Sequence, residues 1–394
     1  MTVDDSQTWS RTGIGVMMLC FVLNMFDGVN IFTLTYVAPA LQKYFAVGPE
    51  AFAVVFSAGL VGMAIGGLAV APQADRFGRR PVIMLALALM SLAMMASAYA
   101  PNLAVLCLVR VLVGIGIGTV LASISALAAG FAPDKFRNMA VGVPQAGYPV
   151  GATLAGFATA WALPLYGWSA IFLSAGVLTL LLLPLCYFTM PEAPEIAHHI
   201  KMSISEAIGG ERKRASILLW VATICGFMCL YFIASWITKL ALAAGLPPTQ
   251  AIIAGAIYNG GAFAGTIIMS VLATRYPVGS LVFGLLISAA ITFLIFGGVK
   301  MTIMPLLITS FIIGITLQGG VNGLYPLVAG VYPAEARATG MGWAMGIGRF
   351  GALVGPLIAG TALQLGLPLV GVFGIFCLPL IVAALAAMSV RKSS

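Results

Sequence analysis

Runs of about 20 apolar residues recur along almost the whole chain, and a helix needs that length to cross the roughly 30 Å hydrocarbon layer of a bilayer. Broken at charges, Pro/Gly clusters and polar turns, the sequence holds twelve such runs. They lie at approximately 14–37, 50–71, 81–99, 104–126, 139–162, 168–188, 215–240, 249–272, 279–298, 303–327, 338–362 and 368–388. Only 8% of the 394 residues are charged and 61% are hydrophobic. Soluble domains carry about 25% charged residues, so no soluble core of this size could hide so much apolar surface. Each run is apolar throughout rather than alternating, which excludes the strands of a β-barrel. The expected fold class is an all-α membrane protein with twelve transmembrane helices. The first run is longer than a signal-peptide core and no A-x-A-like site follows it, so it is expected to be retained.

Basic residues orient the spans. With both ends on one side, that side carries Arg11, Arg76, Arg79, Arg80, Lys135, Arg137, Lys201, Arg212, Lys213, Arg214, Arg275, Arg337, Arg391 and Lys392, and the other only Lys43, Lys239 and Lys300. Lys and Arg gather in cytoplasmic loops, so both termini are expected in the cytoplasm, in a bacterial inner membrane. The net charge of +8 is then a topological signal, and no basic domain offers a nucleic-acid surface. Cys20, Cys107, Cys186, Cys225, Cys229 and Cys377 all fall inside apolar runs without metal-ligand spacing and are expected to pack. His198 and His199 lie in the central polar stretch, away from any ligand set. No metal and no cofactor is expected.

That stretch, "MPEAPEIAHHIKMSISEAIGGERKRA" from Met190 to Ala215, follows the sixth run. The expected organisation is an N-terminal six-helix bundle at 1–189, a cytoplasmic linker at 190–214 and a C-terminal six-helix bundle at 215–394. The halves also repeat. A shift of 200 positions lays "FAPDKFRNMAVG" on "VYPAEARATGMG", with Pro133 on Pro333, Arg137 on Arg337 and Gly142 on Gly342. Gly114 on Gly314 and Gly151 on Gly351 share that shift. Paired six-helix halves are a transporter architecture, with the substrate held near the bilayer midplane.

Between the second and third runs lies "ADRFGRRP". Gly78 permits a tight bend, and the arginines can reach Asp75 and helix C-terminal carbonyls. The order D-R-x-G-R-R resembles the loop signature of the major facilitator superfamily. Ala71 stands where that family usually has Gly, and Thr274 stands where the second half would have Asp. "RVLVGIGIGTVLASISALAAGFAPDKFR", "PQAGYPVGATLAGF" and "GVYPAEARATGMGWAMGIGRFGALVGPLIAG" further resemble its aromatic acid:proton symporter branch. The resemblance covers essentially the whole chain. It implies two pseudo-symmetric six-helix bundles, the major facilitator fold, working as a monomer. Asp75, Arg76, Gly78, Arg79 and Arg80, with Arg137 and Arg337, are expected to form a conformational gate. The branch usually shows D-G-x-D in its first helix; here the run reads Asp27-Gly28-Val29-Asn30, and Asn30 cannot titrate.

Ionisable groups inside a bilayer are costly and mark pathways. Three sit well inside these spans: Asp27 in the first, Arg110 in the fourth and Arg349 in the eleventh. At 1.5 Å per residue, Asp27 and Arg349 lie roughly 15 Å from the nearer helix ends, close to mid-membrane. The resemblance implies that these helices line a central cavity. Asp27 and Arg110 are then the expected proton-coupling groups, able to pair across the N-terminal half. Arg349 is the expected clamp on an anionic substrate, since a guanidinium grips a carboxylate through two parallel hydrogen bonds. A carboxyl group's hold on its proton depends on whether it faces a cation or apolar surroundings, which an alternating gate can change. The competing reading of Asp27 and Arg110 is a static pair that only fixes packing. Asn24, Asn30, Gln145, Tyr148, Trp236, Tyr258, Asn259, Gln318, Asn322 and Tyr325 are candidate substrate-binding residues, through flat apolar faces and orienting polar groups. Each could equally make a helix–helix hydrogen bond. Gly114, Gly116 and Gly118 are expected to allow close helix contact.

The expected function is proton-coupled uptake of a small aromatic carboxylate such as a hydroxybenzoate. A non-aromatic organic anion or dicarboxylate, an exporter or antiporter, and a non-transporting sensor stay open. No H-E-x-x-H, G-x-S-x-G or P-loop occurs, so an enzyme and an ATP-driven pump are disfavoured.

Overall fold

The computed structural model describes residues 10–132, 143–191, 213–332 and 334–390, with backbone alone for Asp75, Arg76, Ser125, Ala126, Ala129 and residues 334–339. Every described element is helical. Eleven stretches are long and apolar enough to cross a membrane. One of them, Val143–Thr189, runs 47 residues, far beyond one crossing. It is broken at Gly167, where φ 76° and ψ 174° are not helical and suit a residue without Cβ. The stretch therefore carries two segments, as the separate runs at 139–162 and 168–188 require.

In chain order the segments are α1 (Arg11–Phe45), α2 (Pro49–Gln73), α3 (Arg79–Ser97), α4 (Leu103–Gly130), α5 (147–166) and α6 (168–180, continued by Leu182–Thr189). Then follow α7 (Lys213–Ala243), α8 (Pro248–Leu272), α9 (Val278–Gly298), α10 (Ile303–Val331), α11 (Ala334–Gln364) and α12 (Leu369–Ser389). Local chemistry sets their ends. The Asn102 side chain accepts the Val105 amide at 2.9 Å and caps α4, while Pro247, Pro277 and Pro368 precede α8, α9 and α12. Large apolar side chains such as Leu68, Leu85, Phe188 and Phe350 stand at least 70% exposed. Lipid tails satisfy such a surface and water does not. The protein is a multi-pass membrane protein.

Contacts gather the chain into two compact units, Met1–Phe45 with Val54–Ala197, and Ala46–Ala53 with His198–Ser394. The domain bounds expected from sequence place Ala46–Ala53 with the first half, and most of the expected linker lies outside the described residues.

Inside each unit, helices meet backbone to backbone. In the first, a Cβ on Gly62 or Gly66 of α2 would strike the Val111 or Ile115 carbonyl of α4, and one on Gly114 would strike Gly59. In the second, Gly261 and Gly265 of α8 meet the Phe311 and Ile315 carbonyls of α10, and Gly314 meets Tyr258. These are the same crossings. The α2 and α8 members are 199 positions apart (62 to 261, 66 to 265), while the α4 and α10 members are 200 apart (111 to 311, 115 to 315). The α1–α5 and α7–α11 pairs agree: Gly151 meets the Met25 carbonyl and Gly351 meets Ile224. Of the three glycines singled out in α4, Gly114 and Gly118 approach α2, whereas Gly116 faces Ala86 and Met90 of α3.

Among the described residues each unit also holds one π-helical turn at this crossing, but on opposite partners: Gly66–Val70 in α2, and Gly314–Gln318 in α10. A π-turn bends the helix and re-aims the residues after it. A cluster of Phe232, Phe293, Phe296, Phe373 and Phe376 fills the second unit between α7, α9 and α12, with Phe232 stacked on Phe376 at 3.9 Å.

Candidate functional site

Asp27 lies on α1 with 1% of its surface exposed, and no described group hydrogen-bonds either carboxyl oxygen. Burying such a group without partners is expensive, so it requires a proton, a cation or water. Arg110 of α4 is 3% exposed and does not fill the need. Its Nη2 donates instead to the backbone carbonyl of Asn30 at 3.2 Å and its Nη1 to the Met94 sulfur at 3.3 Å, leaving Nε unmatched. The expected Asp27–Arg110 pair is thus not hydrogen-bonded in this conformation. Asn30, fully buried, donates its amide to the Thr179 hydroxyl of α6 at 3.0 Å. Asn24 donates to the Pro144 carbonyl at 2.9 Å and to Gln145 at 3.3 Å. Tyr148 is half-buried with its ring edge-on to Phe32, centroids 5.8 Å apart.

The second unit assembles a different set. Arg349 of α11 is half-buried; its Nη1 donates to the phenolic oxygen of Tyr231 on α7 at 3.0 Å, and its Cζ stands 6.0 Å from the Phe227 ring centroid. Tyr325 of α10, 39% exposed, lies within electrostatic reach of both Arg349 and Tyr231. About two turns earlier on α10, Gln318 donates to Asn322 at 3.1 Å and Asn322 to Thr266 of α8 at 2.8 Å. Trp236, Tyr258 and Asn259 are at most 1% exposed. The Trp236 indole donates to Pro356 of α11 at 3.0 Å, and the Asn259 amide donates to Gly255 of its own helix at 3.0 Å. Reading the sequence missed Thr179, Met94, Thr266 and Tyr231. A hydroxyl or thioether in an apolar run gives no sign of a partner far along the chain.

At the loop between α2 and α3, Gly78 takes φ 88° and makes the expected bend. Arg80 donates to the Tyr187 carbonyl, in the last turn of α6, with its guanidinium 4.9 Å from that ring. Arg79 stands at the start of α3. The side chains of Asp75, Arg76 and Arg337, and all of Arg137, lie outside the described residues.

The chain matches the family description "Major Facilitator Superfamily" over residues 17–280 and 219–393. It is 31% identical to a gallate transporter of Pseudomonas putida over 410 residues, covering 95% of this chain and 91% of that one. It is 28% identical to a 4-hydroxybenzoate transporter of Pseudomonas aeruginosa over 411 residues, covering 95% and 91%. In fold it is similar to a D-xylose–proton symporter, with TM-score 0.78 at 15% identity, covering 96% of this chain and 98% of that one. With apolar helices throughout, two units built on the same crossings and matches along almost its full length, the chain belongs to the Major Facilitator Superfamily, and is a transporter rather than an enzyme.

Proposed function

We propose that this transporter imports a small aromatic carboxylate, of the hydroxylated benzoate kind, together with protons, by alternating access across the bacterial inner membrane. The carrying observation is Arg349, a half-buried guanidinium that donates to Tyr231 beside the Phe227 ring. A cation bordered by aromatic faces suits a carboxylate on a ring better than a sugar or a cationic drug. Amides tied down by the Gln318–Asn322–Thr266 chain suit ring hydroxyls. Relatives named for gallate and 4-hydroxybenzoate transport, both hydroxylated benzoates, support the same cargo. Asp27 is the group we assign to the proton, with Arg110 modulating it; the bias of basic residues supports cytoplasmic termini. No cofactor enters this reading, and the monomer is its working unit.

The test is transport. Proteoliposomes given an inward proton gradient should concentrate radiolabelled 4-hydroxybenzoate above the outside level. Equal uptake with and without the gradient would sink symport.

A further inference from the structure

The Tyr231 side chain takes part in only one hydrogen bond among the described residues, and in it the phenol is the acceptor. Arg349 Nη1 donates to its oxygen at 3.0 Å. A phenol carries one donor as well as its lone pairs, so the O–H of Tyr231 is a second donor beside the guanidinium, with no described acceptor. Tyr231 and Arg349 are both half-buried rather than sealed, so a ligand can reach the pair. The ring is held in place: Phe227, one turn earlier on α7, packs against it at 6.4 Å and lies under Arg349 at 6.0 Å. An O–H whose oxygen already accepts from a cation is polarised and becomes a better donor.

We propose that Tyr231 is a substrate-binding residue that completes the anion site, donating its O–H to one oxygen of the substrate carboxylate while its phenolic oxygen fixes the guanidinium of Arg349 to grip the other. The inference rests on the reading of the cargo as a carboxylate and adds a specificity element to it. A guanidinium alone attracts any anion. A guanidinium locked to a phenol presents two donors at fixed spacing, which matches a planar carboxylate and leaves a carboxamide, offering a single acceptor oxygen, half served.

The experiment is calorimetric titration of the purified full-length chain with 4-hydroxybenzoate, 4-hydroxybenzamide and cyclohexanecarboxylate, for wild type and Tyr231→Phe. The variant keeps the ring and its packing, and an unchanged melting temperature verifies that it is folded. The expected result is a roughly tenfold or greater loss of 4-hydroxybenzoate affinity, about 1.4 kcal/mol, with the weak 4-hydroxybenzamide affinity unmoved. The preference for acid over amide then collapses. Arg349→Gln serves as the second variant and should lose the same preference. Parallel weakening of acid and amide would mark Tyr231 as mere scaffolding and overturn the proposal, as would unchanged acid affinity. If the wild type instead prefers cyclohexanecarboxylate and Tyr231→Phe weakens that, the aromatic reading fails and the role of Tyr231 stands. A wild type that binds neither acid refutes both.

Discussion

Asn30 shows why a polar residue in an apolar run cannot be assigned by type alone. Its amide ties α1 to α6 through Thr179, and its backbone carbonyl holds Arg110, 80 residues away in sequence. Thr179→Val keeps the shape and deletes the acceptor, stranding a fully buried amide. Thermal denaturation in detergent should show a loss of about 1–3 kcal/mol of stability, with substrate affinity retained. Asp27→Asn, by contrast, should leave folding intact and abolish concentrative uptake, while counterflow exchange of labelled for unlabelled substrate persists. Normal accumulation by that variant would remove Asp27 from coupling. Arg349→Lys replaces a fork by a point charge and should weaken binding roughly tenfold, about 1.4 kcal/mol, as measured by titration. Asp27, Arg110 and Arg349 were legible in the sequence because ionisable groups are scarce at depth. Tyr231 was not, since its partner lies 118 residues away and only the packing of α7 on α11 brings them together.

At the scale of elements, the crossings are governed by what is absent at Cβ. Gly151 meets the Met25 carbonyl of α1, and Gly351 meets Ile224 of α7; neither obstacle is a side chain that can swing away. Gly151→Ala and Gly351→Ala should each force the helices apart and cost at least about 1–3 kcal/mol. Alanine at Gly284 or Gly374, where a Cβ meets nothing within 4 Å, should be tolerated. Melting temperatures of the four variants check the contrast. Sequence alone pointed to Gly114, Gly116 and Gly118 as approach points, because small residues let helices touch in a membrane. It could not say which neighbour each one meets. Nor did it disclose the π-turns: an extra residue in one helical turn leaves no compositional trace, and Gly66–Val70 reads like any apolar stretch.

Across the whole molecule, apolar run length carried most of the architecture, because bilayer thickness sets it. The break at Gly167 fell between the fifth and sixth expected runs. The acid inventory adds a functional consequence. Of eleven Asp and Glu residues, only Asp27 falls in the interior of an apolar run, Glu50 standing at the very edge of the second. Carrying one proton in with each monocarboxylate moves no net charge. Uptake should therefore follow an imposed pH gradient and ignore a membrane potential imposed with potassium and valinomycin. Acceleration by an inside-negative potential would require more than one proton per substrate.

The matched crossings also preserve a piece of history. Corresponding positions differ by 199 through α2 and α8 but by 200 from α4 and α10 onward. After an ancestral six-helix unit was copied, one residue was therefore gained or lost somewhere between Gly66 and Val111, or between Gly265 and Phe311. A length change inside a helix rotates everything beyond it by about 100° and would have turned each glycine away from its carbonyl. Only a place where the chain can absorb a length change would tolerate it, such as the short connections flanking α3 and α9 or a π-turn like that at Gly66–Val70. Since then the two copies have each kept their contacts in step, one residue out of phase.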